Sequence, residues 1–128
     1  MKLTNNFSLE EFECKCGCKM PEFVKKNISE LADNLQVLRD VVGRLDPTNG
    51  YRCKDHNADV GGSVNSQHLK GKAADIKSSD INPEDMAAIV DDLMKCESFK
   101  LGGVGIYNTF THVDIRGVRA RWSKTSKK

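Results

Sequence analysis

The chain has 128 residues, a formal net charge of +2, 30% charged and 38% hydrophobic residues. This length suits one domain, residues 1–128, with a core that needs no staples. The near-neutral balance argues against nucleic acid as a partner, and no apolar run is long enough for a transmembrane helix.

In chain order, Phe7-Ser8-Leu9-Glu10-Glu11-Phe12 offers Ser8 as an N-cap with Glu11 three residues on, a capping-box pattern for a short helix or turn. Cys14, Cys16 and Cys18 follow, with Cys53 and Cys96 further along. Five cysteines cannot all pair within one chain. Their single-residue gaps differ from the usual zinc spacing, so the first reading is reduced, partly buried thiols in a cytosolic product. A structural metal held by Cys14, Cys16 and Cys18, with or without Cys53, comes next. A redox role ranks last, because no Cys-x-x-Cys is present.

Ile28, Leu31, Leu35, Leu38 and Val42 recur at helical spacing and predict a helix over about 27–44, capped by Asn27 with Glu30 completing a box. Gly43 and Asp46-Pro47 end it. Residues 50–58 read as a strand edge and a loop, and Gly61-Gly62 as a tight turn. Ala73-Ala74-Asp75-Ile76 reads as a short strand. Asn82-Pro83-Glu84-Asp85 is a strong helix start, and Met86, Ile89, Val90 and Leu93 form that helix's apolar stripe, ending near Cys96. Gly102-Gly103 turns the chain into a closing antiparallel pair, Val104 to Tyr107 and Thr111 to Arg116. The fold class is therefore α+β: a small antiparallel sheet with helices packed on one face.

After Asp114 the chain carries Arg116, Arg119, Arg121, Lys124, Lys127 and Lys128 without an acid. The preferred reading is a solvated, flexible tail from about 119. The alternative is attraction to an anionic polymer, which rising salt would weaken.

Chemistry concentrates in Ser66-Gln67-His68…Asp75 and Thr111-His112-Val113-Asp114. Two of the three histidines and an Asp make a complete protein ligand set for a catalytic zinc, with the fourth position left to water. His112 and Asp114 are two apart on a predicted strand and share a face. Gly71, Ala73 and Ala74 leave room for the backbone to approach a metal. Arg52 has a guanidinium suited to a carboxylate, or is a surface arginine; Ser66 and Gln67 are hydrogen-bond donors toward substrate, or plain turn residues. His56 reads as a surface histidine.

The chain resembles the zinc D-alanyl-D-alanine carboxypeptidase and peptidoglycan L,D-endopeptidase family, in its short single-domain phage-type form. The resemblance is carried by Phe7–Phe12, Gly50-Tyr51-Arg52, Asn57-Ala58-Asp59-Val60-Gly61-Gly62, Ser66 through Asp75, Gly103–Tyr107 and Phe110–Asp114. It implies one zinc ion held by His68, Asp75 and His112, with Arg52, Ser66, Gln67 and Tyr107 facing a peptidoglycan stem peptide. It also implies hydrolysis next to a D-amino acid by an activated water, with a general base moving its proton. A monomer without membrane insertion is expected. The stretch Met1–Phe7 has no apolar segment after Lys2 and does not read as a signal peptide. Synthesis in the cytoplasm is expected, with action on the wall after release or as a virion component.

The sequence departs from part of that family. Many members place Glu or Asp three residues before the last zinc histidine, and Thr109 stands here; others place His two before it, and Phe110 stands here. Asp114 remains as the candidate general base, the competing role being to orient His112. A non-catalytic, metal-containing binding protein of the same fold is the alternative function.

Overall fold

The computed structural model describes residues 1–125. Ser8 and Glu11 form the capping box, Ser8 N donating to Glu11 Oε2 at 2.8 Å, over the 3-10 turn Leu9–Phe12. Helix α1 is Glu22–Val42, five residues longer at its start than the capping pattern at Asn27 predicts. Pro21 occupies the cap instead, and Val24, one turn before Ile28, extends the buried stripe through Leu31, Leu35 and Leu38. Asn27 lies inside the helix and its amide donates to Lys70 O at 2.8 Å. Glu30 pairs with Lys100 at 3.0 Å rather than closing a capping box.

Strand β1 is Asp46–Asn49, and the expected loop after it contains the short helix α2, Lys54–Asp59. A second 3-10 turn, Gln67–Lys70, leads into β2, Ala73–Lys77. Helix α3, Pro83–Lys95, starts as the sequence indicates: Asn82 Oδ1 accepts from Asp85 N at 2.8 Å and Pro83 fills the first turn. Strands β3, Gly103–Tyr107, and β4, Thr111–Asp114, form the expected antiparallel pair.

The fold is α+β, with a five-stranded sheet in the order β1-β2-β4-β3-β5. The fifth strand, Ala120–Lys124, corrects two expectations. The segment from about 119 is not a flexible tail over its described part, and the sheet is mixed because β5 runs parallel to β3. After β4 the chain reverses through a short link and lands beyond β3, so β5 must run in the direction of β3. Arg121 secures the strand by bonding Asp91 of α3 at 2.6 Å and Gly102 O at 2.7 Å. Arg119 also pairs with Asp91, at 3.0 Å. These cations are thus tied to the fold. Lys127 and Lys128 lie outside the described residues.

Alternation sorts the sheet into two chemistries. Ala74, Ile76, Val104 and Val113 join the stripes of α1 and α3 in one core. Between them on the strands, Asp75 stands opposite His112, Gly105 opposite His112 and Trp122 opposite Gly105. One face is therefore the helix-covered core, and the other presents the site.

Candidate metal centre

The ligand set is built from the register. Asp75 on β2 and His112 on β4 are direct cross-strand partners, and the 3-10 turn after Ser66 brings in His68. Asp75 Oδ1 lies 3.3 Å from His68 Nε2 and 3.4 Å from His112 Nδ1. Tetrahedral ligands at the zinc–nitrogen distance of about 2.0–2.1 Å sit roughly 3.4 Å apart. The three residues are 2–6% exposed, and the two imidazoles meet edge to face with centroids 5.1 Å apart.

Each histidine has its second ring nitrogen engaged, which aims the first at the cluster. His68 Nδ1 donates to Gly50 O at 2.7 Å, and His112 Nε2 pairs with Asp114 Oδ2 at 2.7 Å. Burial alone would raise the Asp75 pKa, but the imidazoles of His112 and His68 outweigh it and hold the carboxyl well below its usual range. Burial works against protonating His112, yet the Asp114 and Asp75 carboxylates outweigh that and hold its pKa above the ordinary value. The environment therefore calls for positive charge at the point where these ligands converge. The donor set, spacing and electrostatics fit a zinc ion.

Asp114, expected either as general base or as the residue that orients His112, pairs with His112 Nε2. It is fully buried, with Oδ1 accepting from Gly103 N at 2.7 Å, Arg116 Nε at 2.9 Å and Arg116 N at 3.2 Å. Oδ2 accepts from Arg116 Nη2 at 2.7 Å besides pairing with His112. These partners fit a carboxylate that holds and orients His112. Gly103 is required here, since a Cβ would overlap the Asp114 carboxylate. The pairing also consumes Arg116, which the sequence reading assigned to the basic tail.

The cluster opens into a cleft of about 530 Å³. Arg52, Ser66, Gln67 and Tyr107, the four expected substrate residues, all line it. Ser66 Oγ accepts from His68 N at 3.2 Å and from Arg52 Nη2 at 3.3 Å, so it also caps the turn and steadies the arginine. Arg52 Nε and Gln67 Oε1 are buried without a protein partner, and such groups are met by water or a ligand. Gly71 does not approach the metal: with φ 74° it packs against Val24 of α1. His56 is half-buried on α2 and absent from the cleft lining.

Trp122 is the site residue that sequence reasoning missed. Its ring lies 4.9 Å from the His112 ring, its Nε1 donates to Tyr107 Oη at 3.0 Å, and the Arg116 guanidinium sits 5.5 Å from its centre. Tyr107 in turn stacks on Phe110 with centroids 4.4 Å apart. A side chain on Gly105 would overlap the indole, so that glycine forms its seat. The one available signal was a lone tryptophan in a stretch of strand-favouring alternation. Among the described lining residues Asp75 is the sole carboxylate, while Arg52, Arg116 and Lys124 carry positive charge.

Two histidines and one aspartate converge in an open cleft, on one face of a small α+β sheet, and could hold one metal ion as the ligand set of a mononuclear metallohydrolase. The sequence profile of the family described as Peptidase M15 matches residues 5–114, and the chain belongs to that family, whose members are zinc metallopeptidases. No curated protein matches the chain.

Proposed function

We propose that this protein hydrolyses a peptide bond next to a D-amino acid in the stem peptide of peptidoglycan, as a wall hydrolase of phage or bacterial origin. The observation that carries this reading is Arg52 beside the ligand cluster. Its main-chain N–H donates to His68 O at 3.1 Å, and its buried Nε lacks a protein partner. A guanidinium so placed recognises a carboxylate, the group that ends or branches a stem peptide. The remaining wall is amphipathic, Tyr107, Phe110 and Trp122 lining the cleft together with Ser66 and Gln67.

His68, Asp75 and His112 would hold the ion, which when bound supplies an activated water and polarises the scissile carbonyl. Gly50 O and Asp114 engage His68 Nδ1 and His112 Nε2, leaving His68 Nε2 and His112 Nδ1 toward Asp75. Arg52 positions substrate, and Ser66 holds Arg52. Tyr107, which accepts from the Trp122 N–H, lines the cleft and would border a bound substrate.

A second reading, a stem-peptide binder without turnover, is favoured by one observation: Asp75, already a ligand, is the cleft's sole carboxylate among the described residues. The two readings separate when purified peptidoglycan is digested with zinc-loaded protein and with His112→Ala, and the fragments are weighed. A lost D-Ala or a new stem-peptide cut only with the intact site supports hydrolysis. Identical fragments, with stem peptide bound by the intact protein alone, would establish the binder.

A further inference from the structure

Away from the cleft, Cys14, Cys16, Cys18 and Cys53 form the other cluster of metal-ligating side chains found among the described residues. All four are free thiols, and their sulfurs lie within 4.8 Å of one another. The Sγ separations are 3.3 Å for Cys14–Cys16, 3.5 Å for Cys16–Cys53 and 3.8 Å for Cys14–Cys53. Four thiolates around zinc at about 2.3 Å define a tetrahedron with edges of roughly 3.8 Å. The three edges among Cys14, Cys16 and Cys53 are therefore within about half an ångström of that shape.

The single-residue gaps that weighed against a metal in the sequence are overcome by a turn. On an extended strand, alternate thiols would stand roughly 7 Å apart. Here Gly17 adopts φ 83° and its N–H donates to Cys14 O at 3.0 Å, which folds the three sulfurs toward one point. Cys53 closes the group from the opposite side. Its N–H donates to Cys14 Sγ at 3.4 Å, and His56 N–H donates to Cys53 Sγ at 3.4 Å. Such N–H donors to sulfur compensate thiolate charge.

We propose that Cys14, Cys16, Cys18 and Cys53 bind a second zinc ion, a structural one that clamps the N-terminal turn to the segment carrying Gly50 and Arg52. Four protein ligands close the coordination sphere and leave no position for substrate, which separates this site from the cleft. Its location gives the clamp a consequence. Tyr51 N donates to Phe12 O at 2.8 Å, so the two strapped segments already touch beside the cluster. Gly50, whose carbonyl orients His68, and Arg52 lie within three residues of Cys53. The inference does not rest on the peptidase reading, because its readout is metal content and thiolate ligation.

The test measures zinc per chain by plasma mass spectrometry, on protein purified with a thiol reductant and no chelator. Two ions are expected in the wild type and in Cys96→Ser, and one each in His112→Ala and Cys53→Ser. After cobalt replacement, His112→Ala should keep an intense thiolate-to-cobalt charge-transfer band that Cys53→Ser loses. Should Cys53→Ser fail to fold, the wild-type and His112→Ala spectra decide the matter. A wild type with one zinc that His112→Ala loses, or cobalt-loaded protein without the thiolate band, would overturn the proposal. So would a denatured, unreduced wild type that titrates three thiols instead of five, since a disulfide would then occupy the cluster.

Discussion

His68, Asp75 and His112 are positioned by a 3-10 turn and two hydrogen-bonded central strands, with Gly50 O and Asp114 bracing the rings. The thiol cluster takes three ligands from one turn and a fourth from Cys53, 39 positions after Cys14, with only weak sulfur hydrogen bonds between them. In the first region the fold holds the ligands and a metal adds chemistry. In the second, a metal would hold the fold. Metal removal should therefore act on turnover through one region and on stability through the other.

The largest effect expected is on the sheet-borne cluster. His112→Ala removes a proposed ligand whose backbone is fixed by β2 and β3, so turnover on the proposed peptidoglycan substrate should fall more than ~1,000-fold. Far-ultraviolet circular dichroism should stay close to wild type. A collapse of the spectrum would mean that the ligand cluster, too, depends on its metal for folding.

Cys53→Ser probes the other side of the comparison. A cross-link closing a 39-residue separation contributes on the order of 4 kcal/mol through the unfolded chain. Its loss should lower the melting temperature by roughly 10 °C or more. A chelator should lower the wild type toward the variant and leave the variant nearly unchanged. Equal chelator shifts in both proteins would assign the stabilising ion to the cleft instead.

Asp114→Asn sharpens the contrast within the cleft. The carboxylate orients His112 and neutralises Arg116 from a fully buried position. Zinc affinity measured by competition should fall about 10- to 100-fold. Full zinc affinity with lost turnover would return Asp114 to the role of proton carrier.

The smallest effect concerns the attachment of β5. Arg121 chiefly, and Arg119 with it, lower the Asp91 pKa to about 2, against a modest opposing effect of burial. The folded state then holds this proton less tightly than the unfolded chain, whose Asp titrates near about 3.9. The pair stabilises the fold above that value, and its contribution fades as pH falls toward about 2. Denaturant melts should show Asp91→Asn losing less stability than wild type on that descent. Parallel losses would mean that Asp91 contributes nothing to the strand's anchorage.

The sequence made the chemistry legible wherever it is local. His68, Asp75 and His112 announce themselves by residue type and order, Asn82-Pro83 by cap chemistry, and β3–β4 by alternation. What stayed hidden depends on distant partners. Asn27 and Glu30 look like a cap because capping rules see three residues, whereas the start of α1 is set by Val24 reaching the core. Arg119 and Arg121 read as a solvated tail until Asp91 of α3 meets them, and with them Trp122 enters the site. Asp114 reads as a base or as a brace for His112, because spacing gives its face and not the Gly103 and Arg116 donors beside it.

The most direct test of the central claim is a zinc titration of metal-free protein, following stem-peptide cleavage at each step by mass spectrometry. Cleavage should rise with occupancy of the His68–Asp75–His112 site in the wild type and stay absent in His112→Ala at every zinc concentration. Cleavage by metal-free wild type, or an equal rate in His112→Ala, would contradict a zinc peptidase acting through these ligands.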